Sequence, residues 1–411
     1  MRHWMMLAAS ALALAGCAQQ SAPESNASAA VISPDVVLDP TNAGKLSQIG
    51  ADILFWPQDK REANFRAMEK VFPGHIVEAG DRVRALPAGT PLPIAAAQVD
   101  AFIAAQKVAG LIVLQDGKVR LERYGLGFKP GERRTSFSVA KSFTSTLVGA
   151  AIKDGAIASV DDPVTRYLPE LVGSGYDGVT VAQLLTMTSG VKWNEDYTDP
   201  ASDVARMYSV PVSAGMDPTV AYMRTLPRDT PPGEKWVYKT GETNLIGVLV
   251  GRATGKPLAT YLSEKVWKPA GMETDAFWMI DPSGKEVSGC CLSVSLRDYA
   301  RMGQFALEGA PGAVPADWIA DATRSHADFA RPGFGYGYQW WTYPEGRYGA
   351  QGIFGQSILI DPKARVVIAM VGVWPKATDQ ALSAQRMAFQ AKVLAAAAEE
   401  NGKVRWLGGR R

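Results

Sequence analysis

Histidine is nearly missing from this chain: there are three in 411 residues, and one of them, His3, falls in the leading stretch. A Ser-His-Asp triad needs a histidine beside its serine, and His75, in a Pro-Gly loop, and His326, in a polar segment, offer no such context. With only three cysteines as well, no spacing reads as a zinc cluster. Cys290 and Cys291 are adjacent, and the eight-membered ring that would join them strains the peptide between them. Both are therefore expected to be small, buried and unpaired. Charge of one sign is lacking too. The 43 Lys and Arg against 41 Asp and Glu leave a formal charge of +2, with the basic residues scattered, so there is no electrostatic footprint of nucleic-acid binding. A membrane span is also missing at the N-terminus, where the apolar run from Trp4 to Leu14 is too short to cross a bilayer.

That short run, preceded by Arg2 and His3, fits the core of a signal peptide over residues 1–16. Leu14-Ala15-Gly16-Cys17 resembles a bacterial lipobox, which implies cleavage before Cys17 and lipid on its thiol; cleavage near Ala18 without a lipid is the alternative. Either path exports the mature chain. Residues 17–34, rich in Ala and Ser, read as a flexible tether. By resemblance to lipoprotein sorting rules, alanine after the cysteine implies a periplasmic protein anchored to the outer membrane, with membrane contact through the lipid alone.

The remainder, residues 35–405, has an ordinary globular composition, 47% hydrophobic overall with 40 glycines and 26 prolines, and reads as one large domain. An apolar period over Phe102–Val108 predicts a helix. Leu111–Leu114 and Val119–Tyr124 around Gln115-Asp116-Gly117 predict a hairpin. Helical patterns without strand pairs dominate from Val160 to Gly289. Strands return at Tyr338–Trp341, Ser357–Ile360 and Val366–Val371, and a helix over Ala381–Ala398 closes the chain. The expected fold is α/β of the α+β type: one antiparallel sheet from about 98–155 and 290–400, flanked by helices, with a mostly helical insert at about 156–289.

Candidate chemistry centres on Ser138-Val139-Ala140-Lys141. Positions three apart share a helix face, so Lys141 can present its amine to the Ser138 hydroxyl. Thr135-Ser136-Phe137 offers hydroxyls for a helix start, and Phe143, Leu147, Ala150 and Ala151 form an apolar stripe toward Gly155, which puts Ser138 in the first turn. Lysine near its usual pKa of 10.4 is protonated at neutral pH. To act as a base it must shift down by about three units, roughly 4 kcal/mol, through burial and its neighbours. A tyrosine is the natural partner for passing the proton on, since its hydroxyl both donates and accepts.

Trp236-Val237-Tyr238-Lys239-Thr240 follows Pro231-Pro232-Gly233-Glu234 and precedes a helical Leu245–Val250. It resembles the Tyr-x-Asn motif of class C β-lactamases and related serine esterases and amidases. Tyr238 matches the tyrosine, and Thr240 stands where asparagine is usual. Lys239-Thr240-Gly241 spells the third motif of penicillin-recognising enzymes but overlaps the tyrosine motif and leads into a helix. Gly349–Gln356 is similar to the strand that carries that third motif, keeping Gly352 but having no lysine beside it, only Ala350-Gln351. The resemblance implies an oxyanion hole from the backbone N–H groups of Ser138 and Ile353, with Gly352 and Gln351 beside the substrate.

Ala182–Gly190 resembles the superfamily signature Leu-Leu-x-His/Met-x-Ser-Gly. Together with Trp193–Tyr197, Asp199–Asp203 and Gly352–Gln356 it is most similar to the 6-aminohexanoate-dimer hydrolase branch of the serine β-lactamase-like superfamily, over roughly residues 56–395. This implies a β-lactamase/penicillin-binding-protein-like fold and a hydrolase of small esters or linear amides. Its acyl-enzyme would form on Ser138, with Lys141 and Tyr238 as the proton-transfer pair and Tyr197 contacting the substrate amide, and no metal or organic cofactor is implied. Two alternatives stand beside it. One is a β-lactamase or D-Ala-D-Ala carboxypeptidase, against which the missing strand lysine tells. The other is a non-catalytic sensor on a decayed scaffold, marked by Thr240 and Ala350-Gln351.

Overall fold

Two antiparallel sheets and the helices on their faces organise residues 53–209 and 215–408, the part described by a computed structural model, with side chains described through residue 399. All of these belong to a single unit, Pro34–Arg411. The expected signal peptide, Cys17 and the tether lie outside the described residues. In chain order the principal elements are β1 (Gly74–Val77), α1 (Ala96–Ala105), β2 (Val108–Gln115), β3 (Lys118–Tyr124), β4 (Arg133–Thr135), α2 (Ala140–Lys153), α3 (Val181–Leu185), α4 (Thr240–Thr254) and β5 (Ala276–Met279). There follow β6 (Leu292–Ser295), α5 (Leu296–Leu307), β7 (Ala327–Asp328), β8 (Gly335–Tyr336), β9 (Trp341–Thr342), β10 (Tyr348–Gly352), β11 (Gln356–Asp361), β12 (Val366–Gly372) and α6 (Gln380–Gly408).

The large sheet runs β3-β2-β12-β11-β10-β9-β8-β7. Every residue of the neighbouring strands β2 and β12 is buried, because both faces of the sheet are covered there. Alternation divides the side chains cleanly. Ile112, Leu114, Val367, Ala369 and Val371 join the main core with α2 and α5, while Leu111, Val113, Val366, Ile368 and Met370 join a second core under α1 and α6. Each such side chain taken out of water contributes about 1.5–3 kcal/mol. The β2–β3 connection is two residues, Asp116 (φ 50°) and Gly117 (φ 74°). Positive φ at both central positions is the hairpin turn that matches strand twist, and glycine adopts it at no steric cost.

A second sheet, β1-β5-β6-β4, replaces the single sheet expected from the sequence. Its strands are only three or four residues long, too short to show a period, and β5 lies in the stretch expected to be mostly helical. Of the expected strand Tyr338–Trp341 only Trp341 is extended, as the start of β9. Gln339 takes φ 62° and turns inward, its Nε2 donating to Leu185 O at 2.7 Å and its Oε1 accepting from Thr243 Oγ1 at 2.7 Å. The short strands β8 and β9 flank that turn. The helix expected over Phe102–Val108 instead spans Ala96–Ala105, and Val108 opens β2.

Helix α2 lies inside the molecule, with Ala140 to Ala151 all buried. Its hydroxyls are satisfied by carbonyls of two loops, as buried polar groups require: Ser142 Oγ donates to Gln339 O (2.7 Å), Ser145 Oγ to Tyr338 O (2.6 Å) and Thr144 Oγ1 to Ser288 O (2.9 Å). These bonds fasten both loops to the helix that carries the site.

Candidate active site

Ser138 does not sit in the first turn of α2. It lies in a 3₁₀ turn, Phe137–Val139, between β4 and the helix, because Phe137 takes φ 43° and cannot belong to a regular helix start. Nor do the preceding hydroxyls cap the helix: Ser136 Oγ donates to Phe137 O and accepts from Leu292 N, and Thr135 belongs to β4. The Ser-Lys proximity survives, since a 3₁₀ turn brings residues three apart into line. Lys141 Nζ lies 3.1 Å from Ser138 Oγ.

Lys141 is 1% exposed, and its amine has two further contacts, with Gly289 O at 2.7 Å and Thr240 Oγ1 at 3.0 Å. Gly289 O can only accept. Thr240 Oγ1 donates its proton to Glu195 Oε1, so it too accepts from the amine. A neutral amine has two N–H groups, both taken, and its lone pair is left facing the Ser138 hydroxyl. Burial lowers the Lys141 pKa to about 7, against the opposing pull of Glu195. The geometry therefore suits proton abstraction from Ser138 at neutral pH.

The other wall comes from the segment entering α4. Tyr238 is half-buried and is held protonated well above the usual phenol range by burial and then by Glu195, with a smaller opposing influence from the Ser138 hydroxyl. The Lys141 ammonium position lies 5.3 Å from its ring centre. Thr240, the first residue of α4, fills the place of the usual asparagine and carries a polar contact of its own, bridging Lys141 to Glu195. Glu195 is the residue that sequence reasoning missed. Its carboxylate accepts from Thr240 N (2.9 Å), Tyr197 OH (2.8 Å), Thr240 Oγ1 and Trp193 Nε1. Tyr197 thus reaches the cluster, with its hydroxyl directed to Glu195. Trp193 and Glu195 stand in the quoted loop motif, but nothing in spacing tied them to Thr240, 45 positions away. Lys239 lies aside, fully buried with its ammonium 3.4 Å from Glu242.

Gly352 ends β10 against the Ser138 turn. A Cβ there would come within 2.6 Å of Ser136 O and 3.1 Å of Ser138 N, so only glycine lets the two backbones meet. Ile353 follows directly. Gln351 is not brought to the site: strand alternation sends it to the α6 side, where its Nε2 donates to Tyr343 OH and its Oε1 accepts from Arg386, each at 2.6 Å. Around Tyr238 stands an aromatic wall of Trp341, stacked at 5.7 Å, together with Trp236 and Tyr336.

His75 bonds Glu286 at 2.8 Å, and His326 stacks on Tyr338 and contacts Asp321 O; both lie away from Ser138. No group of three or more potential metal ligands occurs among the described residues. Cys290 and Cys291 overturn the expectation of unpaired thiols, because they are joined as a disulfide. Cys291 takes φ 67°, and the turn is held by bonds from Cys290 N to Val287 O and from Met279 N to Cys291 O. That backbone turns both side chains to one side. The linkage begins one residue after Gly289.

The comparisons agree with this geometry. The beta-lactamase family profile matches residues 95–392. A 6-aminohexanoate-dimer hydrolase from Paenarthrobacter ureafaciens is 35% identical over 284 residues, 64% of this chain and 72% of that one. Esterase EstB from Burkholderia gladioli is 31% identical over 157 residues, 35% of this chain and 38% of its own. Among solved structures, a Bacillus anthracis protein assigned as a 6-aminohexanoate-dimer hydrolase matches with a TM-score of 0.70 at 23% identity, covering 81% of this chain and 93% of that one. A penicillin-binding protein from Bacillus halodurans matches at 0.59 with 16% identity, covering 71% and 99%. These two likenesses speak to fold. The family profile spans most of the chain, and its curated relatives include an amide hydrolase and an esterase; the chain belongs to the beta-lactamase family and is a serine hydrolase within it.

Proposed function

We propose that the chain cleaves linear amides or carboxyl esters through an acyl-enzyme on Ser138. The observation that carries this reading is the contact set of Lys141, which engages both N–H groups elsewhere and leaves its lone pair toward Ser138 Oγ. Lys141 takes the serine proton as Ser138 Oγ attacks the carbonyl carbon. The oxyanion is met by the backbone N–H groups of Ser138 and Ile353, donors that can each contribute several kcal/mol. Tyr238 gives its proton to the leaving nitrogen or oxygen and is reprotonated from Lys141; water then enters by the reverse relay and releases the acid. The substrate class rests on the Paenarthrobacter ureafaciens relative, named for a linear amide dimer, and on the esterase. β10 offers no cation where penicillin-recognising enzymes hold a carboxylate, so β-lactams rank lower.

Ser138→Ala is expected to lower turnover of a short p-nitrophenyl ester roughly a thousandfold or more and to abolish labelling by a fluorophosphonate. Unchanged turnover would end the proposal. Tyr238→Phe should slow amide hydrolysis more than that of the nitrophenyl ester, whose leaving group needs no acid. We further propose export and a lipid on Cys17; either absence of radiolabelled palmitate from the chain or labelling that persists in Cys17→Ser would refute the lipid.

A further inference from the structure

On the α6 side of the large sheet lies a cavity of about 660 Å³, within the range of small-molecule sites. Phe334, Trp341, Leu359, Met387 and Leu394 give it an apolar lining, and the charged groups on its wall are all arginines: Arg331, Arg347 and Arg386. Arg347 is engaged by Asp361 and Glu345 at 2.7 and 2.8 Å. The other two have no carboxylate partner among the described residues. Arg331 lies over the ring of Phe334 at 3.9 Å. Arg386, only 5% exposed, stacks over Trp374 at 5.0 Å and, among the described residues, makes one hydrogen bond, to the neutral Oε1 of Gln351. Tyr343 OH accepts from that same amide's Nε2, which fixes its oxygen toward the guanidinium. None of the Arg386 nitrogens is among the sealed, unpartnered atoms, so the unpaired ones keep some access, and Arg386 lines the cavity.

A buried cation is costly unless paired, and a guanidinium is shaped to take a carboxylate by two parallel bonds. We propose that this cavity is a second binding site, for a free unbranched alkyl carboxylate whose head pairs with Arg386 and whose chain lies along Phe334, Leu359, Met387 and Leu394. Arg331 adds positive charge at the mouth. The site is separate from Ser138 and shares with the catalytic wall only Trp341, which also stacks on Tyr238.

The test is titration of dodecanoate, below its micelle concentration, into the full Ser138→Ala chain, followed by calorimetry and tryptophan fluorescence. One saturable site is expected, at least tenfold weaker in Arg386→Gln and weakened likewise by Ala391→Trp, which places bulk in the cavity from an exposed position on α6. Dodecanol should bind at least tenfold less well than dodecanoate. Failure to saturate, or equal affinity in the variants, overturns the proposal. Should Arg386→Gln fail to fold, Ala391→Trp decides alone. Binding is read without turnover, so the result stands apart from the hydrolase assignment.

Discussion

Thr240 shows how a substituted position can keep its purpose by changing partners. With asparagine replaced, the hydroxyl still accepts from Lys141, but it hands its own proton to Glu195, and the amine comes under the influence of a carboxylate two bonds away. The two effects on Lys141 have opposite signs: burial favours the neutral amine, and Glu195 favours the ammonium. Burial wins, to about 7. Below that pH the protonated amine cannot accept from Ser138, so kcat/KM for an ester should rise with pH through a midpoint near 7; a flat profile from pH 5 to 9 would remove Lys141 as the base. Glu195→Gln deletes the charge that favours the ammonium and should move this midpoint to lower pH, which a pH series on the variant measures. The same shift has a stability sign. The unfolded chain holds the Lys141 proton up to about 10.5 and the folded chain only to about 7, so this group makes folding less favourable below pH 7, and that penalty fades as pH rises toward 10.5.

At the scale of elements, the site depends on two tight turns meeting. One carries Ser138 after Phe137 at φ 43°, and the other carries Ile353 before Phe354 at φ 60°. For a bulky residue each such backbone costs of order 1–3 kcal/mol and persists only where the surroundings hold it. What holds both is one aromatic trio: Phe65, fully buried, contacts Phe137 at 4.8 Å edge-on and Phe354 at 5.3 Å, and the latter two lie 5.2 Å apart. Phe65→Ala should therefore cost about 3–5 kcal/mol in denaturant unfolding and lower kcat with a smaller change in KM, because the two backbone N–H groups lose their relative placement. Stability loss with kcat intact would mean the turns are held by other contacts. None of this bracing was legible in the sequence. Ser138, Lys141 and Tyr238 could be read because local spacing and a neighbouring Pro-Gly turn mark them. Phe65, Glu195 and Gln339 meet their partners only through the tertiary fold, and a lone phenylalanine or a loop glutamate carries no periodic signal. Gln351 was misread for a local reason: in a strand, adjacent residues face opposite sides, and the glycine beside it has no side chain to reveal which.

The whole molecule combines two sheets with a helix, α2, buried from Ala140 to Ala151, and its long strands were the readable part. β2, β11, β12 and α6 are long enough for composition and turn chemistry to declare them, whereas the three- and four-residue strands of the smaller sheet are shaped by what packs on them. That smaller sheet delivers the last feature. The carbonyl of Gly289, which anchors the Lys141 amine, is followed at once by the covalently joined pair Cys290–Cys291, so the acceptor that orients the base is tethered to a bond that a thiol reductant can break. Incubation with dithiothreitol should lower kcat/KM several-fold in the native chain and leave a Cys290→Ala/Cys291→Ala double variant unresponsive; equal response of both would unlink them. An enzyme built this way would reach full strength only where thiols are oxidised, and the same chain held among reducing thiols would idle.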